Sequence, residues 1–424
     1  MQINETIRKD GLRIISCKLP HKKSVLVELV ARVGHAYDPP DKCGLFHLFE
    51  HMAFKGTKKR SFGELQSFSL RNLFGRNAGT GALGTTYKAS VIDRKLPLAC
   101  DYLCDIYCNS TFPESELEKE KKIVSLEIAS VRDDDASIAG YALKELLYEE
   151  NPKRLYGGGT LEGLKNIRGS DLLEQKKNWH VPASTVAIAV GSVNHKDFVR
   201  EISKCILYNP KKVTLKKWSD ESDRLPAKKD AVLLRPKREK AILLVGCKIP
   251  EKLDNRKREA FSLFSKLIVN PNKSRLWNEI REKRGLAYVV DGGYSGTAGL
   301  GGTFSVYIEF DPSKQEEVGK VLWQSLLIPL TKKRDFEEMR EKIYDAFEVA
   351  VVEQGGDYES DIWRKIVDDE PVKSVEREYE RRLKVISSLT LKDLEMARKE
   401  FIKQERFATV FVKSGDSEIS RKII

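Results

Sequence analysis

The chain has 424 residues, 41% of them hydrophobic and 33% charged. That balance fits a globular protein, and the length exceeds one ordinary core, so two domains are expected. No apolar run approaches the ~20 residues that span a bilayer, which excludes a membrane protein by this criterion. The net charge of +12 raises nucleic acid as a partner. Its basic residues alternate with acids, as in Glu116 to Lys122 and Glu376 to Arg382, the pattern of solvated helix faces, and no aromatic-basic stacking motif accompanies them. Neither a nucleic-acid nor a membrane partner is expected; a basic interior attracting acidic peptides is the other use of this charge.

Met1 to Lys9 is polar, lacks the apolar core of a signal peptide and leads into alternating, strand-like residues, so the expected location is cytoplasmic. Val25 to Val33 reads as an apolar strand. His47-Leu48-Phe49-Glu50-His51 follows, on a predicted helix. Residues four apart project from one helix face, so two imidazoles stand one turn above the other, a spacing that suits a single Zn²⁺. Glu50 lies on the same side, placed to take a proton from water activated by the metal. The pattern inverts the H-E-x-x-H zinc helix. A strand opens at Leu83-Gly84-Thr85-Thr86-Tyr87, and an amphipathic helix spans Leu96 to Cys108. Cys100, Cys104 and Cys108 line one face of that helix and read as buried small side chains rather than metal ligands.

The next predicted helix, FPESELEKEKKIVSLEIA, carries Glu120 and Glu127 seven residues apart on one face. Zinc needs a third protein ligand. Glu127, between Val124, Leu126 and Ile128, is expected to face inward, where a carboxylate without a partner is costly. Thr185 to Val190 closes the first half as a strand. Tyr208 to Lys237, polar and Lys-rich, reads as an exposed linker.

Beyond it the pattern repeats. Residues 261–269, FSLFSKLIV, match residues 46–54, FHLFEHMAF, after a strand-like Ala241 to Cys247. Leu300-Gly301-Gly302-Thr303-Phe304, a helix near Gln315 to Leu327, the charged DFEEMREKIYDAFEVA and a final strand at Phe407 to Val412 continue the correspondence. Ser262, Ser265 and Lys266 stand where the first half has His47, Glu50 and His51, while Glu348 aligns with Glu127. One copy keeps the metal pattern and the other only the hydrophobic frame. The Gly-rich run Gly292 to Gly302 leads into a strand, not a helix N-terminus, so it reads as a hairpin loop and not a phosphate cradle. The expected class is α+β: two homologous domains, each a mostly antiparallel sheet with helices packed on one face, at 1–215 and 236–424 with a linker at 216–235.

CGLFHLFEHMAFKGTKKRS, RNAGTGALGTTYKA, LYGGGTLEGLKNI and LWNEIREKRGLAYVV together resemble blocks of the inverted-motif M16 zinc metallopeptidases, the family of pitrilysin, insulin-degrading enzyme and the mitochondrial processing peptidase. Glu127 follows His51 by 76 residues, which matches the family's third-ligand spacing. The resemblance implies a metalloendopeptidase with one zinc per chain, held by His47, His51 and Glu127, with Glu50 as general base and Glu120 supporting the site. It implies that Asn77 and Ala78 lie on a strand that pairs with substrate backbone, and that Arg281 and Tyr288 are lent by the inactive half to hold substrate. The two-domain length is similar to the small bacterial and archaeal branch, which works as a dimer enclosing a chamber, so peptides or unfolded polypeptides and a homodimer are expected. A heterodimer and a non-catalytic subunit of the same fold are the alternatives, and closure around the Tyr208–Lys237 linker is the expected motion. Two positions depart from the family: Leu83, where a Glu is frequent, and His180, where a Tyr is usual.

Overall fold

Apolar strands, some alternating in burial and the central ones buried on both faces, and a three-to-four-residue apolar period along the helices fold each half around its own sheet. The computed structural model describes residues 1–226, 228–270, 273–352 and 358–415. The first half runs β1 (Gln2–Ile7), β2 (Arg13–Lys18), β3 (Ser24–Ala31), α1 (Leu45–Ala53), α2 (Phe62–Asn72), β4 (Gly75–Thr80), β5 (Thr85–Ile92), α3 (Leu96–Asn109), α4 (Glu114–Asp133), α5 (Asp135–Leu147), α6 (Leu161–Asn166), α7 (Gly169–Trp179), β6 (Thr185–Gly191) and α8 (His195–Cys205). The second runs β7 (Asp230–Arg235), β8 (Ala241–Ile249), α9 (Asn255–Ile268), β9 (Ala287–Thr297), β10 (Gly301–Phe310), α10 (Gln315–Leu327), α11 (Lys333–Val352), α12 (Tyr358–Val367), α13 (Val375–Ser388), α14 (Leu391–Phe401) and β11 (Phe407–Ser414).

The sheet orders are β1-β2-β6-β3-β5-β4 and β7-β11-β8-β10-β9. Remove β1 and the two are one topology, with a single parallel pair in each, β2 with β6 and β7 with β11. The repeat in the sequence is therefore a repeat of fold, mixed α/β with two sheets. Each sheet builds its main core against helices of its own half: α3 and α8 in the first, α9, α10 and α14 in the second. Cys100 and Cys104 are buried in the first core, as the helix-face reading expects.

The compact units are interleaved in sequence. One comprises Met1–Ser130, Leu155–Lys217 and Asp357–Arg377; the other comprises Val131–Arg154, Trp218–Gly356 and Glu378–Ile424. Each half thus gives one short helix to the other half's unit. In β8 the odd residues Leu243, Val245 and Cys247 enter the main core, while Gly246, on the opposite face, leaves no room for a Cβ beside Leu143 of α5. Asp135, at the start of α5, pairs with Arg235 and Arg238 of the same unit. Reciprocally, α12 buries Tyr358, Ile362 and Ile366 in the first unit, and its Trp363 ring packs against Gly84. The donors are the segments that follow the two 20-residue helices α4 and α11. A helix of that length runs about 30 Å, far enough to carry the chain off its own sheet.

The segment read as an exposed linker is anchored at both ends. The Asn209 N–H donates to Asp10 and the Lys216 N–H to the Tyr37 hydroxyl, within the first unit. Glu221 is only 1% exposed, because its carboxylate accepts the N–H groups of Glu149, Glu150 and Asn151 in the second unit. The change of unit falls between Lys217 and Trp218. It is one of five places where the chain passes from one unit to the other. Among the described residues no helix is long and apolar enough to cross a membrane.

Candidate metal centre

Helix α1 is set by its N-terminus. Gly44 adopts φ +98°, and Asp38 reaches over to accept the N–H groups of Gly44 at 2.7 Å and Phe46 at 3.0 Å. Burial pushes the Asp38 carboxyl up to about 7, while these bonds pull it down. Gly159, at φ +84°, lies so close that a Cβ there would stand 2.3 Å from the Cys43 carbonyl oxygen. The glycines of LYGGGTLEGL are thus a seat for the start of α1. Leu45, Phe46, Leu48, Phe49, Met52 and Ala53 are buried, which turns His47, Glu50 and His51 to the remaining face.

His47 Nε2 stands 3.6 Å from Glu127 Oε2, and His51 Nε2 stands 3.8 Å from the same oxygen. The three residues each offer a ligand atom, all within 4.8 Å of one another. A tetrahedral zinc with bonds near 2.0 Å needs donors about 3.3 Å apart, so the two imidazole–carboxylate distances need contract by only a few tenths of an ångström to meet the ion. Burial, followed by the neighbouring His51, holds the His47 imidazole down at about 4. It is neutral at pH 7, the form that ligates. His51 Nδ1 lies 3.2 Å from Glu120 Oε2, and Lys55 Nζ lies 2.5 Å from Glu120 Oε1. A carboxylate on Nδ1 fixes the tautomer that leaves Nε2 free for metal.

The structure corrects the expected burial of Glu127 on α4. Glu127 is 44% exposed at its side chain, and Leu126 beside it is exposed too, so the inward-facing argument for Glu127 does not hold. Glu120 is the buried carboxylate, at 3%, balanced by Lys55. A seven-residue spacing places both on one stripe but does not say which end of the stripe lies under α1.

Glu50 Oε2 accepts the Thr80 hydroxyl at 2.9 Å. Burial raises the Glu50 carboxyl, opposed by that bond. Thr80 closes β4, the edge strand that also carries Asn77 and Ala78 and pairs only with β5 among the described residues. The Gly81 N–H donates to the Gly84 carbonyl at 2.9 Å. Bonded and free pairs alternate along an antiparallel ladder. Asn77 and Gly79 therefore bond toward β5, while Ala78 and Thr80 turn their backbone groups to the open edge. Asn77 Oδ1 accepts the Ala78 N–H at 2.9 Å. Thr80 and Lys55 were missed as functional candidates, although both lie inside the motif blocks quoted above.

In the second unit, Ser265 occupies the place of Glu50 and accepts the Tyr294 N–H of β9 at 2.9 Å, a backbone tie in place of a carboxylate. Glu348 is exposed, and no imidazole pair faces it among the described residues. Arg281, in the π-helical turn Trp277–Glu282, donates to the Tyr288 carbonyl at 3.0 Å and lies 4.1 Å from the Trp277 ring centre and 5.0 Å from that of Tyr288. Tyr288 is 67% exposed and sits on β9, the edge strand of the second sheet.

His180 packs beneath α1. Its ring stacks on Tyr107 at 4.0 Å and meets Phe49 edge-on at 4.6 Å, while Nδ1 bonds the Tyr107 carbonyl. An aromatic core position explains a ring there, and burial lowers the imidazole to about 4. The unfolded chain takes up that proton near pH 6.5, the folded chain only near 4, so stability falls as pH drops through this window. In metal-free protein, His180→Phe should remove about 3 kcal/mol of the loss between pH 6.5 and 4. Urea unfolding of both proteins across this range measures it; parallel pH profiles would refute it.

The donor set and the duplicated fold define a class, the metallopeptidases built on an inverted His-x-x-Glu-His helix. The insulinase (peptidase family M16) model matches residues 13–156, and the peptidase M16 inactive-domain model matches residues 166–332. An uncharacterized zinc protease of Streptomyces coelicolor is 30% identical over 327 residues, covering 75% of this chain and 70% of that one. The beta subunit of the mouse mitochondrial-processing peptidase is 31% identical over 200 residues, 47% of this chain and 40% of that one. A protease of Helicobacter pylori superposes with a TM-score of 0.83 at 18% identity, covering 97% of this chain and 99% of that one. The chain belongs to the M16 peptidases, a family of zinc proteases.

Proposed function

We propose that this chain is a zinc-dependent endopeptidase acting on extended, unstructured polypeptide, with His47, His51 and Glu127 as the zinc ligands. The observation that carries the reading is the convergence of these three donors beside Glu50, itself held by the edge strand. Zinc, when bound, supplies a Lewis acid for a peptide carbonyl and acidifies water to a pKa of about 7. Glu50 takes the proton of the attacking water at its carboxylate and returns it to the leaving amine. Glu120 orients His51, and Lys55 pairs with the other oxygen of the Glu120 carboxylate. The open edge of β4 at Ala78 receives substrate backbone as an added strand, which demands little of substrate sequence. For that, the Asn77 amide swings off the Ala78 N–H. Arg281 and Tyr288 act as further substrate-binding groups, a donor fork and an exposed aromatic.

The test is mass-spectrometric cleavage of a pool of unstructured peptides by zinc-loaded and chelator-stripped protein. Cleavage at internal bonds by the loaded form alone supports the reading; equal cleavage by both forms, or none by either, counts against it. We take the assembly as a homodimer. The mouse relative is named as one subunit of a peptidase, which motivates a partner-dependent alternative. Size exclusion of the active chain alone separates the two.

A further inference from the structure

We infer that Thr80 is a positioning residue that ties the register of a strand-bound substrate to the general base. The inference rests on the assignment of Glu50 as that base. Thr80 Oγ1 lies 2.9 Å from Glu50 Oε2 and 3.3 Å from the Phe46 carbonyl oxygen. The hydroxyl has one proton to give. The Glu50 oxygen is the nearer acceptor, and the Phe46 carbonyl already stands in the helical ladder of α1. The proton therefore goes to Glu50. That bond holds one carboxylate oxygen on β4 and leaves the other to act on water.

The same residue faces the open edge. By the alternation of the β4–β5 ladder, the N–H and C=O of Thr80 point away from β5, as those of Ala78 do. A peptide added at this edge is bonded by the backbone of the very residue whose side chain holds the base. The distance between scissile bond and carboxylate is then set within one residue rather than through the packing of α1 on the sheet. The second unit supports this by contrast. There the helix-to-edge-strand tie runs from the Tyr294 N–H to Ser265, with no carboxylate to position.

Thr80→Val keeps shape and strand propensity and deletes only the hydroxyl. Its kcat should fall by about 10- to 100-fold, since a misplaced catalytic group costs that order, with KM within about twofold because the backbone edge is untouched. Thr80→Ser restores the donor and should recover kcat to within about threefold. Rates are taken per zinc-loaded chain, so a variant that folds or loads poorly still reports. A Thr80→Val enzyme with parental kcat, or a loss that Thr80→Ser shares, overturns the inference. Full activity of Glu50→Gln would instead sink the assignment of the base, so the two failures are distinguishable.

Discussion

Glu50→Gln is expected to lose about three orders of magnitude in turnover while still binding one zinc per chain. The amide has the volume of the carboxylate and can accept the Thr80 hydroxyl through its oxygen, so α1 and β4 stay in place. It cannot take a proton from water or return one to the leaving amine. A factor of about a thousand corresponds to about 4 kcal/mol of transition-state stabilisation, within what general acid–base catalysis supplies. The proposed ligand atoms of His47, His51 and Glu127 are not altered, so zinc content by elemental analysis should match the parent. A Glu50→Gln enzyme retaining a tenth of parental kcat would mean that Glu50 is not the base.

The second large effect separates a ligand from its support. Glu127→Ala should weaken zinc binding by at least about 150-fold, because each ligand of a zinc site carries roughly 3 kcal/mol of its binding free energy. The metal-free protein should unfold where the parent does, since the Glu127 side chain is 44% exposed and its removal opens no core. Glu120→Ala should behave differently. Zinc affinity falls by about 10- to 100-fold, as expected for loss of a carboxylate behind a ligating imidazole. The metal-free protein is destabilised as well, by about 3 kcal/mol, because Lys55 keeps a part-buried charge that has lost its carboxylate partner. Zinc titration and urea unfolding of the two metal-free variants read both quantities. If Glu127→Ala binds zinc like the parent, the third ligand has been misassigned.

What the sequence determined by itself was local or periodic. His47 and His51 fall on one face of α1 because residues four apart always do, and the buried run from Leu45 to Ala53 turns that face outward. The duplication was legible because each half repeats the same hydrophobic frame, and equal frames fold to equal sheets: the two strand orders agree once β1 is set aside. The pair of candidate glutamates on α4 was legible only as far as a stripe. Tertiary structure decided that Glu120 is the buried member and Glu127 the half-exposed one, since that depends on how α4 lies against α1, elements far apart along the chain. It decided that Thr80 holds Glu50, because the contact joins the end of a strand to a helix 30 residues earlier in the chain and leaves no periodic mark. It decided that α5 and α12 each join the unit of the other half: an amphipathic helix shows that it has an apolar face, not whose sheet will bury it. It anchored Glu221, a carboxylate in a polar segment that looks solvated until three backbone N–H groups from residues 149–151 converge on it. In each case the deciding interaction is non-local, and one chain without its fold records which groups seek partners but not which partners they meet.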